Sequence, residues 1–413
     1  MSGLTRRELL KTGSALAVAL GSGALGACGH GTARGSAPET PRELAATADT
    51  FPLLEVRGTP YAIGHAIGRR FGAEIRAALA GRAEALRELT AFVDAQPPAL
   101  HATFVAAAQR HTPAVVEELR GWADGSGVPL RDLFILNLAP EYGALQAQGR
   151  SRATCERTPG CSTIVRWDRG RALVAHNEDG DRAYAAGMFL LRVHPEGKPS
   201  FLCASYPGVL PGNAPWVNDR GVLMTTNFIP GREVKVGVGR YFLDRLAMEA
   251  TSLDAALAIA RHPERGYAFH HVIAEVARRR AVALEATPSK ASVRELAGLY
   301  LHTNHLVHPP LADEPQDLAT PSSTRRLETL ERWRAGVDVA ALDAAGLAVP
   351  LTSHDGRPYS PCRHPAGEIR GATLLTAIFD VDRRILRIAK GQPCAGRWHD
   401  YAFFGRGTLG GSL

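Results

Sequence analysis

The apolar positions divide the chain near residue 160. Upstream they recur at helical spacing. Residues 74–95 and 98–125 carry a 3.6-residue period, with Leu119, Trp122 and Ala123 on one buried face. Gly125-Ser126-Gly127 stops that helix, and residues 128–138 begin another. Ahead of them, residues 53–57 read as a short strand and Thr59-Pro60 as a helix start. Ile63-Gly64 and Ile67-Gly68 set glycines four apart, which bares one helix face for close packing. Downstream the period drops to two. The pattern predicts strands at 161–167, 172–178, 188–194, 200–206, 222–228, 267–275, 281–286, 299–304, 373–381 and 384–390. Helices intrude at 240–262 and 322–336. This is an α+β pattern with helices on the outer faces. Residues 309–321 form a polar, proline-rich loop, and no linker divides folding units after residue 52. There is no glycine-rich dinucleotide or nucleotide-phosphate motif and no internal repeat.

The first 27 residues read as a targeting signal rather than as part of the fold. Thr5-Arg6-Arg7-Glu8-Leu9-Leu10-Lys11 fits a twin-arginine export signal. The apolar run that follows is too short and too small-sided for a stable membrane span. It ends in Leu25-Gly26-Ala27-Cys28, which resembles a bacterial lipobox, so Cys28 is the expected lipidation site and the only membrane attachment. Residues 28–51 are then a tether, 52–160 a mainly helical region and 161–413 a strand-rich one. The expected place is the periplasm or cell envelope. A twin-arginine substrate folds in the cytoplasm, so any self-cleavage would finish before export.

Composition narrows the function classes. The 413-residue chain has a net charge of +7, of which Arg6, Arg7 and Lys11 against Glu8 place +2 in the signal. The remaining arginines are interleaved with acids. No basic, aromatic-rich stretch suggests a nucleic-acid partner. Of six cysteines, Cys155, Cys203, Cys362 and Cys394 carry no assigned role, and no Cys/His spacing suggests zinc. His270-His271, His302 and His305 read as structural.

Gly160-Cys161 carries the chemistry. Cys161 opens a predicted strand, and the turn at 168–171 returns the chain to His176-Asn177-Glu178-Asp179. If the turn centres between Arg169 and Gly170, paired residue numbers sum to about 339. Cys161 then lies opposite Glu178, beside Asn177 and Asp179. A cysteine after glycine can attack the preceding carbonyl in an N-to-S acyl shift, and hydrolysis frees it as a new N-terminus. Its α-amino group, with a reference pKa of about 7.7–8.0, would serve as base for its own thiol. The bland reading is an inert core cysteine.

These residues carry a resemblance. The chain, over residues 55–405, resembles the acyl-coenzyme A:6-aminopenicillanic-acid acyltransferase family of N-terminal nucleophile hydrolases. The resemblance rests on Gly58-Thr59-Pro60 through Gly64 and Gly68, on Glu118-Leu119-Arg120-Gly121 through Asn137, and on Gly160-Cys161-Ser162-Thr163. It also rests on His176-Asn177-Glu178-Asp179, His302-Thr303-Asn304-His305, Pro361-Cys362-Arg363-His364 and Lys390-Gly391-Gln392-Pro393-Cys394. It implies a four-layer αββα sandwich behind a helical propeptide region, with cleavage between Gly160 and Cys161. It implies Cys161 as nucleophile, Asp179 as holder of the new amino group and Asn304 as an oxyanion donor. By likeness to penicillin V and bile-salt acylases it adds Asn227 as a second donor and Arg326, with Arg325 adjacent, as an active-site arginine. The implied substrate is a small acylated amine or amino acid, with no cofactor and no metal, and with a coenzyme A thioester as a possible acyl donor. The two cleavage products would stay associated. A non-catalytic binding lipoprotein on the same scaffold and a histidine-dependent, papain-like hydrolase are the competing readings.

Overall fold

The computed structural model describes residues 41–148, 160–316, 318–367 and 369–404. The export signal, Cys28 and Cys155 lie outside them. The expected tether ends sooner than residue 51. Strand β1 (Arg42–Leu44) already pairs antiparallel with β2 (Leu53–Gly58), and Arg70 ion-pairs with Glu43.

The upstream region is helical. It comprises α1 (Pro60–Gly81), α2 (Ala83–Asp94), α3 (Pro98–His111), α4 (Pro113–Ser126), α5 (Leu130–Asn137) and α6 (Ala139–Ala147). The start of α1 follows its local chemistry: Thr59 caps it by accepting from the Ala62 amide, and Pro60 takes the first turn. The expected helix over 98–125 is two, because Thr112-Pro113 breaks the hydrogen-bond ladder. Glycines set the α1–α4 crossing. A Cβ on Gly64 would overlap the Glu118 carbonyl, and one on Gly121 the Tyr61 carbonyl. The four-residue spacing of Gly64 and Gly68 is met by Gly121 and Gly125 on the facing helix.

Two sheets follow. The larger contains β1 and β2, then β5 (Phe189–Pro195), β6 (Phe201–Ser205), β7 (Trp216–Asn218), β8 (Val222–Phe228), β9 (Phe269–Glu275), β10 (Arg280–Ala286) and β11 (Ala291–Glu295), in that order. The smaller runs β12 (Gly298–His302), β3 (Ser162–Trp167), β4 (Ala172–Asp181), β13 (Gly371–Asp380), β14 (Ile385–Lys390), β15 (Trp398–Ala402). The β3–β4 register pairs Ser162 with Asn177 and Thr163 with His176, so paired numbers sum to 339. Asp168 fixes the turn by accepting from the Gly170 and Arg171 amides at 2.7 and 2.8 Å.

Strand alternation sorts the core into layers. Val165, Val174, Leu190, Leu202, Leu223 and Val272 fill the space between the sheets. Leu191, Phe201 and Met224 point outward from the larger sheet against Ile63, Phe71, Trp122 and Phe242 of the helices. Ile164, Ala175 and Ile378 point outward from the smaller sheet against Leu330 of α9 (Pro321–Arg334) and Leu347 and Leu351 of α10 (Ala344–Leu351). The layer order is therefore αββα. The expected helix over 240–262 is again two, α7 (Arg240–Ala247) and α8 (Leu253–Ala260). Between them Asn218 Nδ2 donates to the carbonyls of Met248 and Ala250, and Ser252 caps the second helix.

Candidate active site

Cys161 stands one residue ahead of β3 and is buried. Its thiol faces Glu178, with Sγ 4.0 Å from Oε1. Tyr206 donates its hydroxyl to that same Oε1 at 2.5 Å. His176 Nε2 lies 3.1 Å from Glu178 Oε2, and its Nδ1 2.8 Å from Thr163 Oγ1. Both ring nitrogens of His176 are thereby engaged, so this imidazole orients Glu178 rather than addressing the thiol. Burial pushes the Cys161 thiol well above its ordinary pKa, and the negative charges of Glu178 and Asp179 push it further. In the intact chain it is a protonated thiol that needs a proton acceptor.

The backbone of Cys161 faces other partners. Its N–H donates to Asn304 Oδ1 at 2.8 Å. Arg326 Nη2 donates to the same oxygen at 2.7 Å, and Nη1 donates to the Cys161 carbonyl at 2.5 Å and to Ser162 Oγ at 2.9 Å. Two donors converging on one atom identify it as the amide oxygen, which leaves Asn304 Nδ2 to donate to the Phe228 carbonyl at 2.8 Å. Arg326 is fully buried, while Arg325 one position earlier on α9 is exposed. Burial lowers the Arg326 guanidinium to about 10, against the opposing charge of Asp179. The same cluster explains the glycine before Cys161. A Cβ at residue 160 would overlap Arg326 Nη2 and Asn304 Oδ1.

Asp179 is divided in its partners. Oδ1 accepts from Thr373 Oγ1 at 2.6 Å, while Oδ2 is buried with no partner among the described residues. Burial lifts this carboxyl to about 6, although Arg326, Arg363 and Thr373 pull it down. Adjacent strand residues normally face opposite sides of a sheet. Here a bulge at Leu374 on β13 sits between the partners of Glu178 and Asp179, and both carboxylates line one cavity. Asn227 is set further back. Its Oδ1 accepts from Thr163 Oγ1 at 2.8 Å and lies 3.0 Å from His270 Nδ1, while its buried Nδ2 has no partner among the described residues. The structure thus gathers Cys161, Asp179, Asn304 and Arg326 around one peptide and leaves Asn227 behind Thr163.

Sequence reasoning missed Glu178, Tyr206, Thr373 and Arg363. Hairpin pairing placed Glu178 opposite the thiol, which was a usable signal, yet gave it no role. Tyr206 and Thr373 come from distant strands and left no local mark. The cavity has a volume of about 390 Å³ and joins both halves of the chain. Arg82, between α1 and α2, and Leu136 and Pro140 come from the upstream region, and Tyr184, Tyr206, Tyr241 and Phe228 from the region after Cys161.

A β-alanyl-dopamine/carcinine hydrolase of Drosophila melanogaster is 28% identical over 226 residues, spanning 51% of this chain and 57% of that protein. The match therefore spans little more than half the relative's length. A variant of the conjugated bile acid hydrolase of Clostridium perfringens covers 59% of this chain and 97% of its own, at 12% identity and a TM-score of 0.37. Penicillin V acylase of Agrobacterium tumefaciens covers 55% and 82%, at 8% identity and a TM-score of 0.35. The family model for acyl-coenzyme A:6-aminopenicillanic acid acyl-transferase matches residues 166–395, more than half of the chain. With the αββα layers and the conjunction of β3, β4, α9 and β13 at one site, the chain belongs to the acyl-coenzyme A:6-aminopenicillanic acid acyl-transferase family.

Proposed function

We propose that the protein cuts itself between Gly160 and Cys161 and then uses Cys161 to cleave small acyl amides through a thioester. The observation that carries this reading is the buried Oδ2 of Asp179, which has no partner among the described residues and lines the same cavity as Cys161, whose peptide is already held by Asn304 and Arg326. A buried carboxylate oxygen without a donor costs free energy. The amino group released by cleavage would supply that donor.

The proposed chemistry has two stages. In self-cleavage, the Cys161 sulfur bonds to the Gly160 carbonyl carbon and the Gly160–Cys161 C–N bond breaks. Glu178 takes the thiol proton, and the departing nitrogen of Cys161 gains one. Water then hydrolyses the thioester, releasing the Gly160 carboxylate and the free thiol. In turnover, the new α-amino group takes the thiol proton as sulfur attacks the substrate carbonyl, and passes it to the leaving amine. Water, or an acceptor amine, resolves the acyl-enzyme. The second amide hydrogen of Asn304 is the donor proposed for the oxyanion, and Asn227, set behind Thr163, would join it only through a shift of its Nδ2 toward the cavity. No histidine is required, which separates this reading from a papain-like one.

The cavity lining supports a small substrate with an aromatic or apolar part. Three tyrosines and Phe228 offer flat apolar walls, and Arg82, Arg240, Glu178 and Asp181 offer charge of both signs. The fly relative's name favours a small N-acylated amine. Export by the twin-arginine route and a lipid at Cys28 would place the enzyme at the cell envelope. Among the described residues no helix is long and apolar enough to cross a membrane. The test is to incubate purified protein with N-acyl amines and quench in acid. Peptide mapping should find the acyl mass on the peptide beginning at Cys161. Turnover with no acyl adduct, undiminished in Cys161→Ala, would refute the nucleophile. A protein that binds such amides without ever turning them over would favour the binding lipoprotein.

A further inference from the structure

A second cluster lies outside the cavity. His354 follows α10, Cys362 and His364 lie in the segment leading to β13, and Cys394 follows β14. Their four ligand atoms, two thiol sulfurs and two imidazole nitrogens, all lie within 4.8 Å of one another. His364 Nε2 is the centre of the group. It is 3.1 Å from His354 Nε2, 3.5 Å from Cys362 Sγ and 3.4 Å from Cys394 Sγ.

Hydrogen bonds alone do not account for this convergence. A ring nitrogen has either one proton or one lone pair to offer, so His364 Nε2 satisfies one of three neighbours at a time. The distances fit a different arrangement. With metal–sulfur bonds of about 2.3 Å and metal–nitrogen bonds of about 2.05 Å, tetrahedral edges are about 3.3 Å for N···N and about 3.6 Å for S···N. The observed separations lie within a few tenths of an ångström of those edges. Two cysteines and two histidines are a soft, nitrogen–sulfur donor set that selects a thiophilic divalent ion.

We propose that His354, Cys362, His364 and Cys394 bind one structural zinc ion. Binding releases the two thiol protons and leaves a neutral centre of two thiolates, two imidazoles and Zn²⁺. Four protein ligands close the coordination sphere, so the ion holds structure rather than activating water. The sequence hides the site because its spacing is irregular, with Cys362 and His364 two apart, His354 set off from them by a turn segment and Cys394 by the β13–β14 hairpin.

The placement gives the ion a task. Cys362 and His364 flank Arg363, whose N–H donates to Thr373 Oγ1 at 2.9 Å and whose carbonyl accepts from the Thr373 amide at 3.1 Å. Thr373 Oγ1 in turn donates to Asp179 Oδ1. The carbonyl of Pro361, next to Cys362, accepts from Asn177 Nδ2 at 2.9 Å. Zinc would therefore clamp the loop that positions Asp179 onto the end of β14. His354, Cys362, His364 and Cys394 are positioning residues, not catalytic ones.

The test is metal analysis of the purified full chain after exhaustive dialysis, run in parallel on Cys161→Ser so that the result stands apart from self-cleavage. The expected result is one zinc per chain in both. Cys394→Ser, at an exposed loop position, and His354→Ala should each lose it while keeping the circular dichroism of the parent. Cobalt exchanged into the parent should show thiolate charge-transfer absorption and the intense visible bands of a tetrahedral centre. Zinc-free protein from zinc-supplemented cells overturns the proposal, whether the thiols are free or joined as a Cys362–Cys394 disulfide on non-reducing peptide mapping. Stoichiometric zinc that persists in both variants overturns it as well.

Discussion

Arg326 occupies the space that a side chain at residue 160 would need, so the residue before Cys161 is confined to glycine by an arginine 166 positions downstream. The guanidinium is not free to yield. It is buried and holds the Cys161 carbonyl, Ser162 and Asn304 at once. Gly160→Ala should therefore displace the scissile peptide. We expect an intact chain on denaturing gels, with self-cleavage slowed by at least about a hundredfold, the scale of a misplaced reacting group.

Glu178 Oε1 lies 4.0 Å from the Cys161 sulfur, placed to accept its proton. Glu178→Gln keeps the shape and its bonds to Tyr206 and His176 while removing the proton acceptor. Self-cleavage should slow by about 10²–10⁴-fold, the usual range for a general base. A time course of cleavage after rapid refolding checks this. An unchanged rate would move the base elsewhere in the site.

Asp179 makes the uncleaved protein sensitive to pH. Its folded carboxyl ionises near 6 against 3.8 for the free group. The folded state therefore holds the proton longer, and stability falls as pH rises between those values. Above 6 the penalty is complete, at roughly 3 kcal/mol. In a Cys161→Ala background, Asp179→Asn should raise the urea midpoint at pH 8 and leave it nearly unchanged at pH 3. A gain of equal size at both values would contradict the assignment.

Glu118 and Arg245 join the two halves. Both are buried, with Arg245 Nη2 donating to Glu118 Oε2 at 2.6 Å between α4 and α7. Breaking such a pair strands a buried charge at a cost of about 3–5 kcal/mol. Glu118→Ala should lower the thermal midpoint sharply. In the cleaved protein it should also let the upstream piece dissociate on gel filtration in mild urea.

The central strands and the β3–β4 register were legible because their alternation is regular and Asp168-Arg169-Gly170-Arg171 announces the turn. Hairpin arithmetic on the sequence places Glu178 across from Cys161. Helix α10 was not legible. Its sequence contains Gly346 and Pro350, and it forms because Asp343 caps it and Leu347 and Leu351 pack on the smaller sheet. Strand β15, with Trp398-His399-Asp400-Tyr401-Ala402, lacks alternation and is held by pairing with β14. At the site, Asn304 and Arg326 were reached only through resemblance. Thr373, Arg363 and the Cys/His cluster are assembled by topology, which no local pattern records.

The most direct measurement is mass spectrometry and N-terminal sequencing of the purified protein on denaturing gels. Cleavage at Gly160–Cys161 predicts two chains that co-purify, the larger beginning Cys-Ser-Thr-Ile, and a single intact chain for Cys161→Ala. An intact parent chain, or the same cut in Cys161→Ala, would contradict it.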